Sequence, residues 1–365
     1  MKLIDKYIVK KFLTTFLFAI VLFIVISIVI DIGEKTDDFI KSQLGVWKIF
    51  TEYYLSFIPY IAALLFPLFV FISVIFFTSK MAGRSEMIAI LASGTSFNRI
   101  LRPYFFTGLF LATVLFLASA FVVPRAEVKR TGFVARYVDG NSSYNALVRK
   151  AQNLYFRIDS FTYLGIRSYD TVSKTGGPVF LYRIKNGVVE YNMRATNIRW
   201  DTATRKWKLD NVFERTIKGI RESTYTTPFK DLAFNGRLKP NDLRTDDYAK
   251  DKMTTPELQH SIDMQTQRGG ENIAELKIEK YHRIATPVSV IILTMIGAIL
   301  AIRKVRGGSG VHLAIGFVSA ATFIIMDRFS TIFSTKGSLP PIIAAWIPNV
   351  VFTLVAIYFY RKAPK

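Results

Sequence analysis

The residue types that most often do chemistry in proteins are sparse in this 365-residue sequence. It has no cysteine, which excludes disulfide scaffolds, cysteine zinc sites, iron–sulfur clusters and thiol catalysis. Its three histidines, His260, His282 and His312, lie far apart and have no metal-ligand spacing. The sequence therefore predicts no metal site, and a structural or solvated role is expected for all three side chains.

Two acidic pairs and one glycine-rich run are the other candidates. Neighbouring carboxylates such as Asp37-Asp38 and Asp246-Asp247 can bind a metal and a sugar nucleotide, but such pairs are common on solvated surfaces. The run 306–310 lacks the lysine and hydroxyl that complete a phosphate-binding loop. A Gly-x-Ser-x-Gly nucleophile elbow is also absent from the sequence. We therefore predict no catalytic residues and no cofactor, and expect that the chain is not an enzyme.

The segment 79–94 has a more informative pattern. Ser85 is followed by helix-forming residues and Gly94 ends the run, which predicts a short amphipathic helix over about 84–93. Such a helix at a membrane surface could dock into a groove of a cytoplasmic partner, with Glu86 offering the charge. Equally, it could lie on the lipid surface and only turn the chain. The residues assigned to the docking surface are Arg84, Glu86, Met87, Ile90 and Leu91.

The composition indicates what kind of protein positions these residues. Hydrophobic residues make up 51% of the chain, and 48 Lys and Arg against 27 Asp and Glu give a net charge of +21. Because a soluble domain seldom combines the two, apolar and basic residues are expected to be segregated, as in a membrane protein. Because about 20 apolar residues cross a bilayer, we predict six membrane helices. They lie at 12–30, 55–77, 103–123, 284–302, 311–326 and 339–360.

The basic residues of the short segments predict the orientation. The first apolar segment is interpreted as a retained signal anchor, since it is longer than a signal-peptide core and runs into Asp31 without a cleavage site. Basic residues concentrate on the cytoplasmic side of membrane proteins. Fourteen Lys and Arg lie in 1–11, 78–102, 303–310 and 361–365, against five in 31–54 and 327–338. Both termini are therefore predicted to be cytoplasmic, and the long segment 124–283 is predicted to lie on the outer face.

That long segment has the pattern of a β domain. Strands are predicted at 144–150, 154–158, 163–169, 179–184, 188–198, 207–209 and 212–217. Asn186-Gly187 is typical of a tight hairpin, Thr255 is the predicted N-cap of a helix, and a second helix over about 272–283 leads back to the membrane. The predicted fold is an α-helical membrane protein with an inserted all-β domain, a sandwich or jelly roll. The predicted domains are 1–123, 124–283 and 284–365.

The short helix and several other segments resemble one known family. G-R-S-E-M (83–87) through A-S-G (92–94) resembles the coupling-helix motif of the lipopolysaccharide export permeases, the LptF/LptG (YjgP/YjgQ) family. Further matching segments are D-K-Y-I (5–8), A-T-N (195–197), W-K-L (207–209), E-K-Y-H-R (279–283) before Pro287, and L-P-P-I-I (339–343). The segments 325–327 and 339–341 are closer to the G member than to the F member. The resemblance covers nearly the whole chain and includes the six-helix layout with a mid-chain β domain.

The resemblance implies a subunit of an ABC-type exporter. In the family, two paralogous permeases form a V-shaped hydrophobic cavity, and a cytoplasmic ATPase dimer (LptB-like) drives its collapse. Lipopolysaccharide passes from the outer leaflet of the inner membrane to the periplasmic β-jelly-roll domains and a bridge protein (LptC/LptA-like). The residues agree with this implication, because uncharged spans suit acyl chains and 29 basic against 19 acidic residues in 124–283 suit a phosphorylated glycolipid. Glu86 has the position of the residue that contacts the ATPase.

The resemblance also implies substrate and gate positions. Head-group contacts follow the first and third helices, where the candidates are Lys35, Lys41, Arg125, Lys129, Arg130 and Arg136. Each could instead be solvated or snorkelling. Asp31 stands where relatives carry a lysine, which leaves open the form of lipid A that is carried. The first and fifth helices form the lateral gate, with Phe23, Ile30, Gly316 and Phe317 as candidates.

Two other functions compete with this interpretation. An ABC permease that transmits ATPase strokes for lipoprotein release or efflux usually has four helices, with the outer domain after the first. A membrane enzyme acting on lipid-linked sugars would need an acidic or histidine cluster near a membrane face, and none is apparent in the sequence. Nucleic-acid binding is disfavoured because the charge excess lies in membrane-flanking loops and the outer domain.

Overall fold

The computed structural model describes residues 3–138, 150–171, 173–232, 240–243, 249–268, 273–302 and 309–363. The chain divides into two compact units. The membrane unit comprises 1–133, 250–258 and 274–365, and the β unit comprises 134–249 and 259–273. The predicted boundary at 123/124 is not tested by this division and stays a prediction.

Nine α-helices and one 3-10 helix (Pro240–Leu243) occur in the described residues, and six of the α-helices are long and apolar enough to cross a membrane. In chain order they are α1 (Leu3–Ser42), α2 (Val46–Gly83), α3 (Glu86–Ala92), α4 (Phe97–Val138), α5 (Ala249–Lys252), α6 (Thr255–Arg268), α7 (Ile273–Ala301), α8 (Ser309–Lys336) and α9 (Pro341–Arg361). The six candidate spans are α1, α2, α4, α7, α8 and α9, so the predicted membrane helices are confirmed.

Two of these helices run well past their apolar segments. α1 continues to Ser42 and α2 begins at Val46, so most of 31–54, predicted as an outer loop, is helical. The polar extension of α1 is supported by an i,i+4 ion pair between Asp31 and Lys35. α4 likewise continues to Val138. These extensions place the predicted head-group residues on helices instead of loops.

The membrane unit is packed around large buried side chains near the first turns of α1. Ile8 and Phe12 of α1, Val74 of α2, Met87 of α3 and Tyr104 of α4 belong to one fully buried cluster. Small residues allow the helices to approach one another: a Cβ on Gly297 of α7 would lie 3.1 Å from the Phe71 ring of α2. The packing therefore holds α3 against the first two membrane helices.

The β unit is one antiparallel sheet. Its strands are β1 (Lys150–Arg157), β2 (Thr162–Asp170), β3 (Thr175–Gly176), β4 (Val179–Lys185), β5 (Val188–Ala195), β6 (Asn197–Asp201), β7 (Lys206–Lys218) and β8 (Arg221–Leu232). The segment β3–β4 pairs with β2 on one side and with β5–β6 on the other, and β7 pairs with β5–β6 and β8. The described strands thus follow one another in up-and-down order. The inserted β domain is confirmed, and its finer assignment as a jelly roll stays a prediction.

Local signals in this region agree with the structure in most places. Asn186 and Gly187 both have positive φ, as the predicted tight hairpin requires. The core contains Trp207, whose ring centroid is 4.9 Å from that of Trp200. The helix predicted at Thr255 is α6, but its N-cap is Thr254, because Glu257 accepts a 2.8 Å hydrogen bond from the Thr254 backbone N–H. The strand predicted at 144–150 lies almost entirely outside the described residues.

Candidate functional site

The predicted coupling helix is α3. It is preceded by Ser85, whose φ of 62° separates it from the end of α2. The predicted apolar face exists, but it is turned toward the chain's own core: Met87 is fully buried, and Ile90 and Leu91 pack against the same cluster. The side chains left outside include Arg84 and Ile88. Of the predicted docking residues, three therefore hold α3 in place, while Arg84 and Glu86 lie at the surface or partly exposed.

Glu86 has its two carboxylate oxygens in different surroundings. The Tyr7 hydroxyl of α1 donates a 2.9 Å hydrogen bond to Oε2. Oε1 lies 4.0 Å from Nη1 of Arg84, whose side chain is 62% exposed. One oxygen thus accepts a hydrogen bond within the chain, and the other lies near the exposed guanidinium of Arg84, on a side chain that is itself 31% exposed. The carboxylate therefore keeps acceptor capacity for a partner's donor, and Oε1 has the larger share of it.

The start of α1 is fastened by a second polar contact. Both terminal nitrogens of Arg99 in α4 donate to the carboxylate of Asp5, each at 2.7 Å. Bidentate pairs of this kind are strong and directional, and Asp5 is 7% exposed. Asp5 and Tyr7 were noted in the sequence only as part of the D-K-Y-I segment. Their partners lie 94 and 79 residues away, so spacing gave no signal of these contacts.

Lys35, the first predicted head-group residue, belongs to a buried polar cluster. Its ammonium donates to Asp31 and to the Tyr53 hydroxyl. The Tyr53 and Tyr54 hydroxyls donate to the two oxygens of Asp31, each at 3.1 Å. Tyr53 and Tyr54 lie in a π-helical turn of α2, whose wider winding lets adjacent residues face one carboxylate. Asp31 is therefore neutralised inside the chain by Lys35.

Aromatic rings close around this cluster. The ring centroid of Tyr53 is 5.8 Å from that of Phe39 and 5.4 Å from that of Phe133. Such rings exclude water, which strengthens the electrostatic contacts inside and makes an unpaired charge there unfavourable. Asp31 is 7% exposed. The cluster therefore ties the polar part of α1 to α2 and α4.

The four predicted cations on α4 differ among themselves. Arg130 donates to both oxygens of Glu127, at 2.8 and 2.5 Å, and lies 4.7 Å from the centroid of the Tyr60 ring. Glu127 is only 1% exposed, so Arg130 is committed to a buried pair. Arg125 and Lys129 are exposed and lie one turn apart. Arg136, in the β unit, is exposed as well, as is Lys41 on α1.

The predicted gate residues also divide into two kinds. The Phe23 ring centroid lies 4.7 Å from that of Phe69 in α2, and a Cβ on Gly316 would lie 2.5 Å from Cδ1 of Ile75. These two residues pack within the chain. Ile30 and Phe317 are each 57% exposed. The apolar windows of α1 and α8 are 11% and 22% buried, against 50% and 61% in α2 and α7, so α1 and α8 leave the most apolar surface uncovered.

A charged cluster lies where the chain returns to the membrane unit. Arg283 of α7 donates to the carbonyls of Met253 and Lys250, at 2.8 and 3.0 Å, and to Glu279 at 3.0 Å. Asp251 of α5 is beside it, and burial together with the negative charge of Glu279 raises the pKa of Asp251 to about 6. Arg283 therefore fastens the return segment 250–253 to the start of the fourth membrane helix.

The three histidines do not come together. His282 contacts Thr331 at 3.1 Å and Asp327 at 3.5 Å, which joins α7 to α8. His260 is exposed on α6, and His312 is buried on α8. Within the described ranges no three His, Asp or Glu side chains form a group that could hold a metal ion.

Six candidate membrane helices, a short helix between the second and third, and an antiparallel β insertion between the third and fourth define a class of multi-pass membrane protein. A model of the family described as "Lipopolysaccharide export system permease LptF/LptG" matches residues 6–362. The chain belongs to this family of lipopolysaccharide export permeases, and it is accordingly a multi-pass inner-membrane protein.

Individual relatives are similar over almost their full length. The "Lipopolysaccharide export system permease protein LptG" of Escherichia coli (strain K12) is 20% identical over 362 residues, which is 98% of each chain. The LptG protein of Haemophilus influenzae (strain ATCC 51907 / DSM 11121 / KW20 / Rd) is 20% identical over 359 residues, 96% of each. Both relatives carry the G name, in agreement with the preference from segments 325–327 and 339–341.

Proposed function

We propose that the chain is a non-enzymatic permease subunit of an ABC-type lipopolysaccharide export complex. It pairs with an LptF-like permease, is driven by a separate cytoplasmic ATPase dimer, and passes lipopolysaccharide from the outer leaflet of the inner membrane to a periplasmic bridge protein. Both termini lie in the cytoplasm and the β unit in the periplasm. The observation that carries the proposal is Glu86, partly exposed on a short helix that is packed against α1 and α2.

The coupling role rests on how α3 is held. Because Met87 is fully buried in the cluster shared with α1 and α2, a force on α3 is transmitted to these helices instead of merely shifting a loop. Oε1 of the partly exposed Glu86 can accept a hydrogen bond from a basic side chain of the ATPase, and charge-assisted bonds of this kind are among the strong ones. Arg84, beside Glu86, can form a second contact with an acidic side chain of the same ATPase.

The substrate role rests on which cations are available. Lys35 and Arg130 are paired with buried or nearly buried carboxylates. Lys41, Lys129 and Arg136 are exposed, and no carboxylate among the described residues lies within 4 Å of them. We assign these three and Arg125 to the phosphates of the glycolipid, with Lys35 and Arg130 holding the helices that carry them. Ile30 and Phe317, on the least covered helices, are assigned to the lateral gate.

Photo-crosslinking in the co-expressed complex tests this assignment. A photoreactive residue at Lys41, Lys129 or Arg136 is expected to capture lipopolysaccharide more when ATP is supplied. Leu354, 63% exposed on α9, to which no head-group or gate contact is assigned, is the control, and its capture is expected to be independent of ATP. An absence of ATP-stimulated adducts at all three positions would refute the substrate role.

A further inference from the structure

We propose that Tyr7 is the positioning residue for Glu86: its hydroxyl fixes which carboxylate oxygen faces the ATPase and joins the coupling helix to the first membrane helix. The inference rests on the proposed function, because it concerns how the same carboxylate is presented. Neither the family assignment nor the resemblance gives Tyr7 a role.

The geometry makes the two oxygens of Glu86 inequivalent. An ionised carboxylate can only accept hydrogen bonds, so the Tyr7 hydroxyl is the donor in the 2.9 Å hydrogen bond to Oε2 of Glu86. A glutamate side chain without that bond rotates among several conformers, and either oxygen can then point outward. With Oε2 held, Oε1 is the oxygen left for an incoming donor. A partner therefore meets a carboxylate whose orientation is already set, which reduces the entropy lost on binding.

Tyr7 can fix Glu86 because Tyr7 is itself on a rigid support. Two residues before it, Asp5 holds Arg99 by two 2.7 Å bonds. One residue after it, Ile8 is fully buried in the cluster that contains Met87. The Tyr7 side chain is 40% exposed, so its ring contributes little to the core. The hydroxyl therefore serves orientation and contributes little to folding.

The same bond links the coupling helix to the far part of α1. α1 is continuous over 40 residues without proline, and Asp31 lies 24 residues after Tyr7, roughly 36 Å along the helix. The helix whose Tyr7 binds Glu86 near its N-terminus thus carries the Asp31–Lys35 pair in its C-terminal part. When the ATPase moves α3, the hydrogen bond from Tyr7 transmits the displacement to the N-terminal turns of α1. Lys41, one of the proposed substrate contacts, lies in the last turn of the same helix.

The test removes one oxygen atom. Tyr7→Phe is expected to weaken binding of the ATPase to the purified permease pair by roughly three- to tenfold, the range for the net contribution of one ordinary hydrogen bond, because the variant keeps Glu86 and loses only its orientation. Tyr360→Phe is the matched control, since the Tyr360 hydroxyl donates a 2.6 Å bond to Asn98 at the start of α4; its effect is expected to stay within about twofold. Equal effects of the two variants would overturn the inference.

A double-mutant cycle separates positioning from a general structural role. If Tyr7 acts through Glu86, Tyr7→Phe produces no further loss of ATPase binding in the Glu86→Ala background. If Tyr7→Phe weakens ATPase binding by the same factor in the Glu86→Ala background as in the parent protein, Tyr7 acts independently of Glu86. That result would overturn the inference and leave the coupling role of Glu86 intact. Full ATPase binding by Glu86→Ala alone would refute the coupling role itself. If Tyr7→Phe fails to accumulate, Glu86→Asp tests the same geometry, because it keeps the charge but shortens the reach toward Tyr7.

A distance measurement gives a readout that stability alone would not change. The chain has no cysteine, so spin labels at Lys10→Cys and Ile88→Cys, both at exposed positions, report the separation of α1 and α3. We expect one narrow distance distribution in the parent protein, and a broader one after Tyr7→Phe, with and without ATP. A distribution unchanged by Tyr7→Phe would contradict the proposed link.

Discussion

Two carboxylates, Glu86 on α3 and Asp31 on α1, have opposite surroundings. Near the first turns of α1, Glu86 gives one oxygen to Tyr7 and keeps the other near the exposed Arg84. Almost seven helical turns after Tyr7 on α1, both oxygens of Asp31 accept hydrogen bonds from tyrosine hydroxyls or Lys35. Aromatic rings pack around these groups. The saturated carboxylate holds helices together, and the partly free one can engage a partner.

The same difference separates other pairs of residues in the membrane unit. Arg130 is committed to Glu127 while Lys129, its neighbour, is exposed. Gly316 packs against Ile75 while Phe317 points away from the chain. Residues adjacent in sequence thus differ in their contacts and exposure because a helix turns them toward different surroundings. Family resemblance alone does not distinguish such neighbours.

The largest effect is expected from Asp31→Ala. Removing this carboxylate leaves Lys35 without its counter-ion and two tyrosine hydroxyls without their acceptor in a largely buried place, which is expected to reduce the free energy of unfolding by about 3 kcal/mol. Thermal unfolding of the purified protein measures it. Glu34→Ala is the control on the same helix, because Glu34 is exposed. Similar unfolding temperatures for the two variants would remove the distinction between saturated and available carboxylates.

Glu86→Ala is expected to show the reverse behaviour. Loss of a charged hydrogen-bond partner at an interface is expected to weaken ATPase binding on the order of 30-fold, while membrane insertion and the unfolding temperature change little because Glu86 is partly exposed. Affinity measurements with the isolated ATPase and an export assay check the result. Full export by this variant would show that the available oxygen has no partner.

Asp251 is a third case, a partly buried carboxylate near the negative charges of Glu279 and Glu127. Its folded-state pKa of about 6 lies above its ordinary value of 3.8, so the folded protein binds the extra proton and stability increases as pH falls from 7 to 5, by about 1 kcal/mol for this group. Asp251→Asn is expected to remove that share of the pH dependence in thermal unfolding. Asp37→Asn, at an exposed position, is expected to leave the profile unchanged; a profile unaffected by Asp251→Asn would contradict the assignment.

The smallest effect is expected from Gly316→Ala. The added Cβ would lie 2.5 Å from Cδ1 of Ile75, so the flexible end of that side chain must move, which costs about 1 kcal/mol. Gly310→Ala on the same helix meets nothing within 4 Å and is the control. If Gly316→Ala keeps the unfolding temperature but weakens pairing with the second permease, Gly316 belongs to the gate and not to the packing of this chain.

The sequence was sufficient for features that depend on local pattern. Membrane helices were predictable because an uncharged stretch of about 20 residues has few alternatives to spanning a bilayer. Most strands between 154 and 217 were predictable because alternation of apolar side chains marks a half-buried strand. The prediction missed the short β3, joined β5 to the start of β6, and divided β7 in two. β8 was missed, since nearly all of its side chains are exposed and its sequence carries no such alternation. The extensions of α1 and α4 were missed because charged residues there resemble a loop.

What the sequence determined by itself is the layout of the chain, the presence of the short helix 86–92, and Glu86 as its charged residue. Only the tertiary structure decided that Met87 faces inward, that Tyr7 reaches Glu86, and that Asp31 neutralises Lys35. These contacts join residues on different helices, and their direction depends on how the helices pack. Hydropathy is a property of a segment, whereas the occupied or available state of a polar atom is a property of what the fold places beside it.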